Sequence, residues 1–260
     1  MTKIAQSSRR FALGGDLAVD RLGYGAMRLT DRPGNFGAYP DWEAGLALLR
    51  RAADLGVEFF DSAYAYGPQH ADRLVGEALE GRDVVIATKG GVDKRGPSEI
   101  IIDGSPATLD HQIDRALTNL RRDRIDLFQL HRVDPTTPIE RSVEALAAAR
   151  ADGRVRHIGL SNVTLQQLER ARAVAPIVSV QNRFNMAETG DDAMVARTAE
   201  LGIAFIPYGP LGAHPMRPGA PLAAEEALAW LLKRSPNIIV IPGTTSIAHL
   251  EENLTAWSAV

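Results

Sequence analysis

The chain has 260 residues, 45% hydrophobic and 23% charged, with a formal net charge of −3 and no cysteine. That length suits one α/β barrel with a large apolar core. The near-neutral charge gives no electrostatic reason to expect nucleic acid or an anionic membrane as partner, and the missing thiols exclude disulfides, iron–sulfur clusters, thiolate nucleophiles and thiolate zinc sites.

The first ten residues are polar and basic, without an apolar core of secretory length, so no signal peptide is expected. No apolar stretch reaches the roughly 18 residues that span a bilayer. Lack of cysteine fits a reducing compartment, and the expectation is a soluble, cytoplasmic monomer. Residues 11–19 alternate around Gly14-Gly15-Asp16, which predicts a small β-hairpin. From there strand and helix alternate. A strand over 21–27 precedes a helix over 41–55 with an apolar stripe of Leu46, Leu49, Ala52 and Ala53. Strands over 57–60 and 83–88 follow, each trailed by a helix, over 72–79 and 106–121. A long Gly-containing loop over 90–105 precedes the latter helix, which Ser105-Pro106 opens as N-cap and first turn. The series continues with strands over 125–130, 155–160, 177–180, 203–207 and 238–241. The helices between and after them cover 139–151, 165–173, 192–201, 223–233 and 246–257.

Eight apolar strands alternating with helices predict a (β/α)8 TIM barrel with an N-terminal β-hairpin, one domain over 1–260. An open doubly wound sheet is the alternative; against it, Gly23-Tyr24-Gly25 leads into no Gly-rich phosphate loop opening a helix. Barrel chemistry sits at the C-terminal strand ends. Those positions hold Met27-Arg28, Asp61, Lys89, His131, Ser161-Asn162, Gln181-Asn182, Tyr208 and Pro242-Gly243-Thr244. Each alone suits a structural role. Asp, Lys and His ending three successive strands, with Tyr66 on the loop after the first, form an acid–base set. A carboxylate holds an ammonium, the ammonium lowers the pKa of a phenol, and an imidazole donates to a carbonyl oxygen. No nucleophile stands among these four residues, and without His-x-His on the first strand or a carboxylate cluster no metal is expected.

Over nearly its whole length the sequence resembles an aldo-keto reductase. The matching stretches are Phe60-Asp61-Ser62-Ala63-Tyr64-Ala65-Tyr66-Gly67, Ala87-Thr88-Lys89, Leu130-His131-Arg132, Ile158-Gly159-Leu160-Ser161-Asn162 and Gln181-Asn182. Tyr208-Gly209-Pro210-Leu211-Gly212 and Ile241-Pro242-Gly243-Thr244-Thr245 complete them. The resemblance implies a small carbonyl substrate, a catalytic tetrad of Asp61, Tyr66, Lys89 and His131 with Tyr66 as general acid, and hydride delivery from NADPH or NADH. Ser161, Asn162 and Gln181 would hold the nicotinamide carboxamide. Tyr208 would stack on its ring, within a cofactor-binding stretch that continues through Gly209, Pro210 and Leu211. Thr244, Thr245 and Ser246 open the last helix, where free N–H groups suit a phosphate, and Glu252 and Asn253 match the positions that contact adenine. Gly243 stands where many relatives carry a lysine, and His249 where they carry an arginine. NADPH is therefore expected, with weaker selectivity against NADH.

No tail beyond the last helix is expected over the pocket. Arg28, Phe36, Tyr64, Arg132, Arg183 and Phe184 are candidates to face the substrate, with the loops 30–40 and 90–105. Leu22-Gly23-Tyr24-Gly25-Ala26-Met27-Arg28 and His131-Arg132-Val133-Asp134-Pro135 resemble pyridoxal reductase-like members. Two further readings stand beside the reductase: a non-catalytic nicotinamide-binding subunit on the same barrel, and a barrel isomerase or hydrolase. No docking extension supports the former, and the Ser161, Asn162 and Gln181 set argues against the latter.

Overall fold

The computed structural model describes residues 9–210, 224–256 and 260. β1 (Arg10–Leu13) and β2 (Leu17–Asp20) pair antiparallel as the expected hairpin. The chain continues through β3 (Tyr24–Gly25), a 3-10 turn over Ala26–Arg28, α1 (Trp42–Asp54), β4 (Phe59–Asp61), α2 (His70–Ala78) and β5 (Val85–Gly90). Next come β6 (Val92–Gly96), β7 (Glu99–Ile102), α3 (Pro106–Leu120), β8 (Ile125–Leu130), α4 (Ile139–Ala151) and β9 (Val155–Ser161). α5 (Leu165–Arg172), β10 (Ile177–Gln181), α6 (Asp192–Glu200), β11 (Ala204–Phe205), α7 (Ala224–Arg234) and α8 (Ile247–Leu254) complete the described elements.

Seven strands lie parallel in the order β3-β4-β5-β8-β9-β10-β11. Residues 238–242 fill the eighth place: Ile238 bridges Phe205 and Val240 bridges Leu22. Gly23 N–H donates to Val240 O at 2.8 Å and Ile239 N–H to Phe205 O at 2.9 Å. The result is a closed (β/α)8 barrel. Its two sides are read from the strand period of two. Phe59, Val85, Ala87, Leu127, Val178, Ala204, Ile206 and Ile239 pack together inside, joined from the hairpin by Leu13 and Val19. Phe60, Ile86, Phe128, Leu130, Ile158 and Leu160 pack outward in the larger cluster with the helices. The hairpin lies at the barrel end opposite the strand C-termini, where Arg10 pairs with Glu58 and the hairpin's Asp16 meets His157 at 2.6 Å.

Local sequence explains most helix starts. The Asp41 side chain accepts from Ala44 N–H at 3.0 Å, Ser105 from Thr108 N–H before Pro106, and Thr164 and Gln167 form a reciprocal capping box. Two expectations change. The third barrel strand starts later than expected and runs through Lys89, which pairs in register with Gln129. The expected loop over 90–105 contains the antiparallel hairpin of β6 and β7, with Val92 opposite Ile102. Its first strand is polar and only partly buried, so no alternation signals it. The expected cofactor residue Leu211, with Gly212, the helix start at 223 and the helix end at 257, lies outside the described residues.

Candidate active site

Four side chains expected to act together meet at the C-terminal end of the barrel. Asp61 ends β4 in phase with the inward Phe59, and Lys89 follows Val85 and Ala87 on the inner face of β5. Their side chains are 2% and 0% exposed, and Lys89 Nζ donates to Asp61 Oδ2 at 2.6 Å and to Ser62 O at 2.7 Å. Burial works against the Lys89 charge, but the Asp61 carboxylate and the Tyr66 phenol outweigh it and hold its pKa up. Tyr66 reaches the pair from the loop after β4, with Lys89 Nζ 5.2 Å from its ring centre. The His131 ring stands edge-on to it at 5.9 Å.

The phenol corrects one expectation. Burial pushes the Tyr66 pKa up; Lys89 pulls it down, and Asp61 raises it again. Desolvation outweighs the charge and hydrogen bond of Lys89, and the phenol is held protonated. His131 is held well below the usual imidazole range by burial, with Lys89, Arg132 and Lys94 adding to the effect. It is therefore neutral at physiological pH, with one N–H to give, and its buried Nδ1 has no partner among the described residues.

Two glutamines converge on the same carboxylate. Gln181 Nε2 donates to Asp61 Oδ1 at 3.0 Å, and Gln129 Nε2 approaches the same oxygen at 3.4 Å. Sequence reasoning missed Gln129 altogether; its place two residues after the inward Leu127 is the signal that would have found it. Gln181 was expected to hold a carboxamide. One amide hydrogen is spent on Asp61, which leaves its Oε1 as the acceptor for such a group.

Ser161 and Gln181 are direct cross-strand partners at the ends of β9 and β10. Asn162 takes a left-handed conformation at φ 56, which turns its side chain back over the strand ends. Its Nδ2 donates to His131 O at 3.0 Å and to Ser161 Oγ at 2.9 Å, while Tyr208 donates its hydroxyl to Asn162 Oδ1 at 2.7 Å. Hydrogen bonds thus link Tyr208, Asn162 and Ser161, and Asn162 ties this set to His131. Adjacent donors and acceptors beside an aromatic ring suit a planar amide such as nicotinamide carries.

The second group of expected cofactor residues stands apart. Tyr24 donates to Thr244 O at 2.6 Å, the Ser246 hydroxyl caps α8 by accepting from His249 N–H, and Asn253 is buried. Thr245, His249 and Glu252 are exposed, and Ser246, Gly209 and Pro210 are partly so. Gly243 explains its own departure from lysine. A Cβ there would lie 2.6 Å from Gly25 O, closer than real contacts allow.

Of the candidates to face the substrate, Phe36 bridges Gly67 beside Tyr66, and Tyr64 is buried with its hydroxyl accepting from Gln69. Arg28 packs against Gly243, and Arg132 is exposed at the mouth. Arg183 pairs with Glu188. Phe184 is a correction: it is fully buried against Phe205 and Trp230, part of the core. Lys94 donates to Gly34 O at 2.7 Å, tying the 92–102 hairpin to the 30–40 loop. Among the described residues no group of three or more His, Asp or Glu could hold a metal ion, and no helix is long and apolar enough to cross a membrane.

Residues 21–220 match the model of the Aldo/keto reductase family. The chain is 42% identical over 268 residues to pyridoxine 4-dehydrogenase of Escherichia coli, covering 96% of this chain and 93% of that one. It is 39% identical over 254 residues to an uncharacterized oxidoreductase of Schizosaccharomyces pombe, covering 93% and 83%. Among solved structures, the glycerol dehydrogenase of Gluconobacter oxydans superposes with a TM-score of 0.84 at 24% identity, over 98% of this chain and 95% of that one. An aldo/keto reductase of Klebsiella pneumoniae in complex with NADP and acetate gives 0.79 at 23%, over 96% and 89%. This chain belongs to the aldo/keto reductase family of oxidoreductases.

Proposed function

We propose that this enzyme reduces aldehydes or ketones to alcohols with NADPH, with NADH as a poorer substitute, and that Tyr66 is the general acid. The observation that carries the reading is the contiguous set at the strand ends: the buried Lys89–Asp61 pair beside Tyr66 and His131, next to the amide-binding edge of Ser161, Asn162 and Gln181. That edge would hold a reduced nicotinamide, which would supply hydride to the carbonyl carbon. Tyr66 gives its phenolic proton to the carbonyl oxygen. A phenol held protonated by burial is in the right state for that transfer at neutral pH. Lys89, held charged by Asp61, stabilises the phenolate left behind. Neutral His131 donates a hydrogen bond to the same carbonyl oxygen and so orients it.

Ser161, Asn162 and Gln181 would hold the carboxamide, with Tyr208 stacking on the ring. Gly209 and Pro210 follow Tyr208 in the chain and would extend the contact with the cofactor. Gly243, Thr244, Thr245, Ser246, His249, Glu252 and Asn253 serve the phosphate and adenine end. The pyridoxine 4-dehydrogenase relative makes pyridoxal and pyridoxine the first pair to test. The barrel over 1–260 works as a single cytoplasmic domain and a monomer. The test is NADPH and NADH oxidation across aldehydes, ketones and pyridoxal, in wild type and Tyr66→Phe. The variant keeps the ring and should bind NADPH with unchanged affinity, while turnover falls roughly 10²–10⁴-fold. Turnover within a few-fold of wild type, with hydride transfer limiting the rate, would remove Tyr66 from the acid role.

A further inference from the structure

On the outer side of β5, facing the helices, sits a carboxylate that the proposed reaction does not use. Asp72 lies in the first turn of α2 and is fully buried, and Thr88 donates its hydroxyl to both carboxylate oxygens, at 3.0 and 3.1 Å. Helix-facing positions of these strands otherwise hold apolar side chains, Ile86 and Phe60 among them. A carboxyl group in that layer carries a desolvation cost, partly offset by the N-terminal end of α2 and by the Thr88 hydroxyl. Thr88 immediately precedes Lys89, and successive strand residues point to opposite faces. Asp72 and Lys89 therefore lie on opposite sides of one strand, with Thr88 joining the carboxylate to that strand.

The charged and titratable groups around Asp72 come from each packed element. Lys89 of β5 and Asp61 of β4 act on it through the strands, and its own charge is felt by Tyr66 and Tyr64 in the loop between β4 and α2. His70 and Arg73 flank it on α2, and Arg115 of α3 turns to Gln69 instead. Asp72 thus interacts by charge with three of the four proposed catalytic groups, Asp61, Lys89 and Tyr66, and by hydrogen bonding with the strand that carries Lys89.

We infer that Asp72 is a positioning residue for proton transfer: it clamps β5 at Thr88, which fixes where Lys89 stands beside Tyr66. The inference rests on the reading of Tyr66 as the acid. Burial pushes the Asp72 carboxyl up to about 6, against the hydroxyls of Ser62 and Thr88 and the Lys89 charge. The group is therefore largely ionised at pH 7, with its negative charge in place, and loses that charge as pH falls through about 6. A nearby anion raises the pKa of a phenol, so removing it should lower that of Tyr66.

The test combines three variants with Tyr66→Phe as reference. The near-ultraviolet absorbance of tyrosinate, taken as the difference from the Tyr66→Phe protein, follows Tyr66 alone in enzyme without cofactor, and circular dichroism confirms that each protein stays folded. Asp72→Asn retains an acceptor for Thr88 and removes the charge. Its Tyr66 ionisation should begin at a lower pH than in wild type. Thr88→Val removes the clamp and, because losing that hydrogen bond raises the Asp72 pKa further, it is assayed at alkaline pH, where the carboxylate keeps its charge. It should lower kcat about tenfold with KM little changed, and Thr88→Ser should restore it. A purely structural Asp72 predicts lower stability in these variants with the Tyr66 ionisation and kcat of the folded protein unmoved, and that result would overturn the inference. If Asp72→Asn does not fold, the Thr88→Val and Thr88→Ser pair decides alone. Full turnover in Tyr66→Phe would instead sink the reading of Tyr66, whatever Asp72 does.

Discussion

The Lys89–Asp61 pair is almost completely removed from water, and that makes its two halves unequal to lose. Lys89→Met leaves the Asp61 carboxylate with two glutamine amides and no cation. An uncompensated buried charge of this kind costs about 3–5 kcal/mol. The double variant Asp61→Asn with Lys89→Met removes both charges, so it should recover much of that stability while staying inactive. Urea denaturation of the wild type, the two single variants and the double variant closes a thermodynamic cycle. Strictly additive losses would mean that the two residues do not stabilise one another. Burial explains why the phenol beside the pair is not acidified: it outweighs the charge and hydrogen bond of Lys89, against which Asp61 also works.

At the scale of elements, the junction between the first strand and the loop leading to α8 limits how the enzyme can bind a phosphate. Gly25 and Gly243 approach so closely that a Cβ on either would press on backbone: 2.7 Å from Ile241 O for Gly25 and 2.6 Å from Gly25 O for Gly243. A lysine at 243 therefore has to push two strand ends apart. Gly243→Lys should lose stability without gaining affinity for NADPH. His249→Arg, on the exposed first turn of α8, meets no such obstacle and presents a planar, permanently charged fork. It should raise the ratio of NADH to NADPH dissociation constants several-fold, read by fluorescence titration. If the lysine variant is as stable as wild type and binds NADPH more tightly, the close approach does not govern this site. If the arginine variant leaves the ratio unchanged, position 249 does not read the 2′-phosphate.

For the molecule as a whole, one buried arginine just before β3 ties the barrel's closing seam. Arg21 is fully buried and donates to Ile238 O at 2.8 Å and to Leu232 O and Ser235 O at 2.7 Å. Burial lowers its pKa to about 10, so it remains charged at neutral pH. These bonds join the beginning of the barrel to the end of α7 and the last strand position, where the ladder is reduced to isolated bridges. Arg21→Leu would leave three carbonyl groups without that donor, at about 1–3 kcal/mol for each that stays unsatisfied. The urea midpoint should fall clearly with an unchanged slope, while the folded fraction keeps its turnover because the change lies at the end opposite the proposed site. An unchanged midpoint would show that the barrel closes without this contact.

The alternation of eight apolar strands with helices, the residue at each strand end and the cap of α3 are local properties, written in runs of a few residues. They were legible for that reason, and they sufficed to predict the barrel and to collect Asp61, Tyr66, Lys89 and His131 at one mouth. Only closure and register decided the rest. Gln181 and Gln129 meet Asp61 across 120 and 68 residues of chain. Phe184 turns into the core because Phe205 and Trp230 wait there. The 92–102 hairpin pairs without an apolar alternation to announce it, and the clash that keeps a lysine from 243 belongs to a strand more than two hundred residues earlier. Asp72 shows the limit most plainly. In the sequence it is one more acid in an amphipathic helix, and only packing against Thr88 makes it a buried charge behind the proposed proton donor. Local pattern is set by neighbours in the chain, whereas burial, charge balance and the direction of a pKa shift are set by neighbours in space.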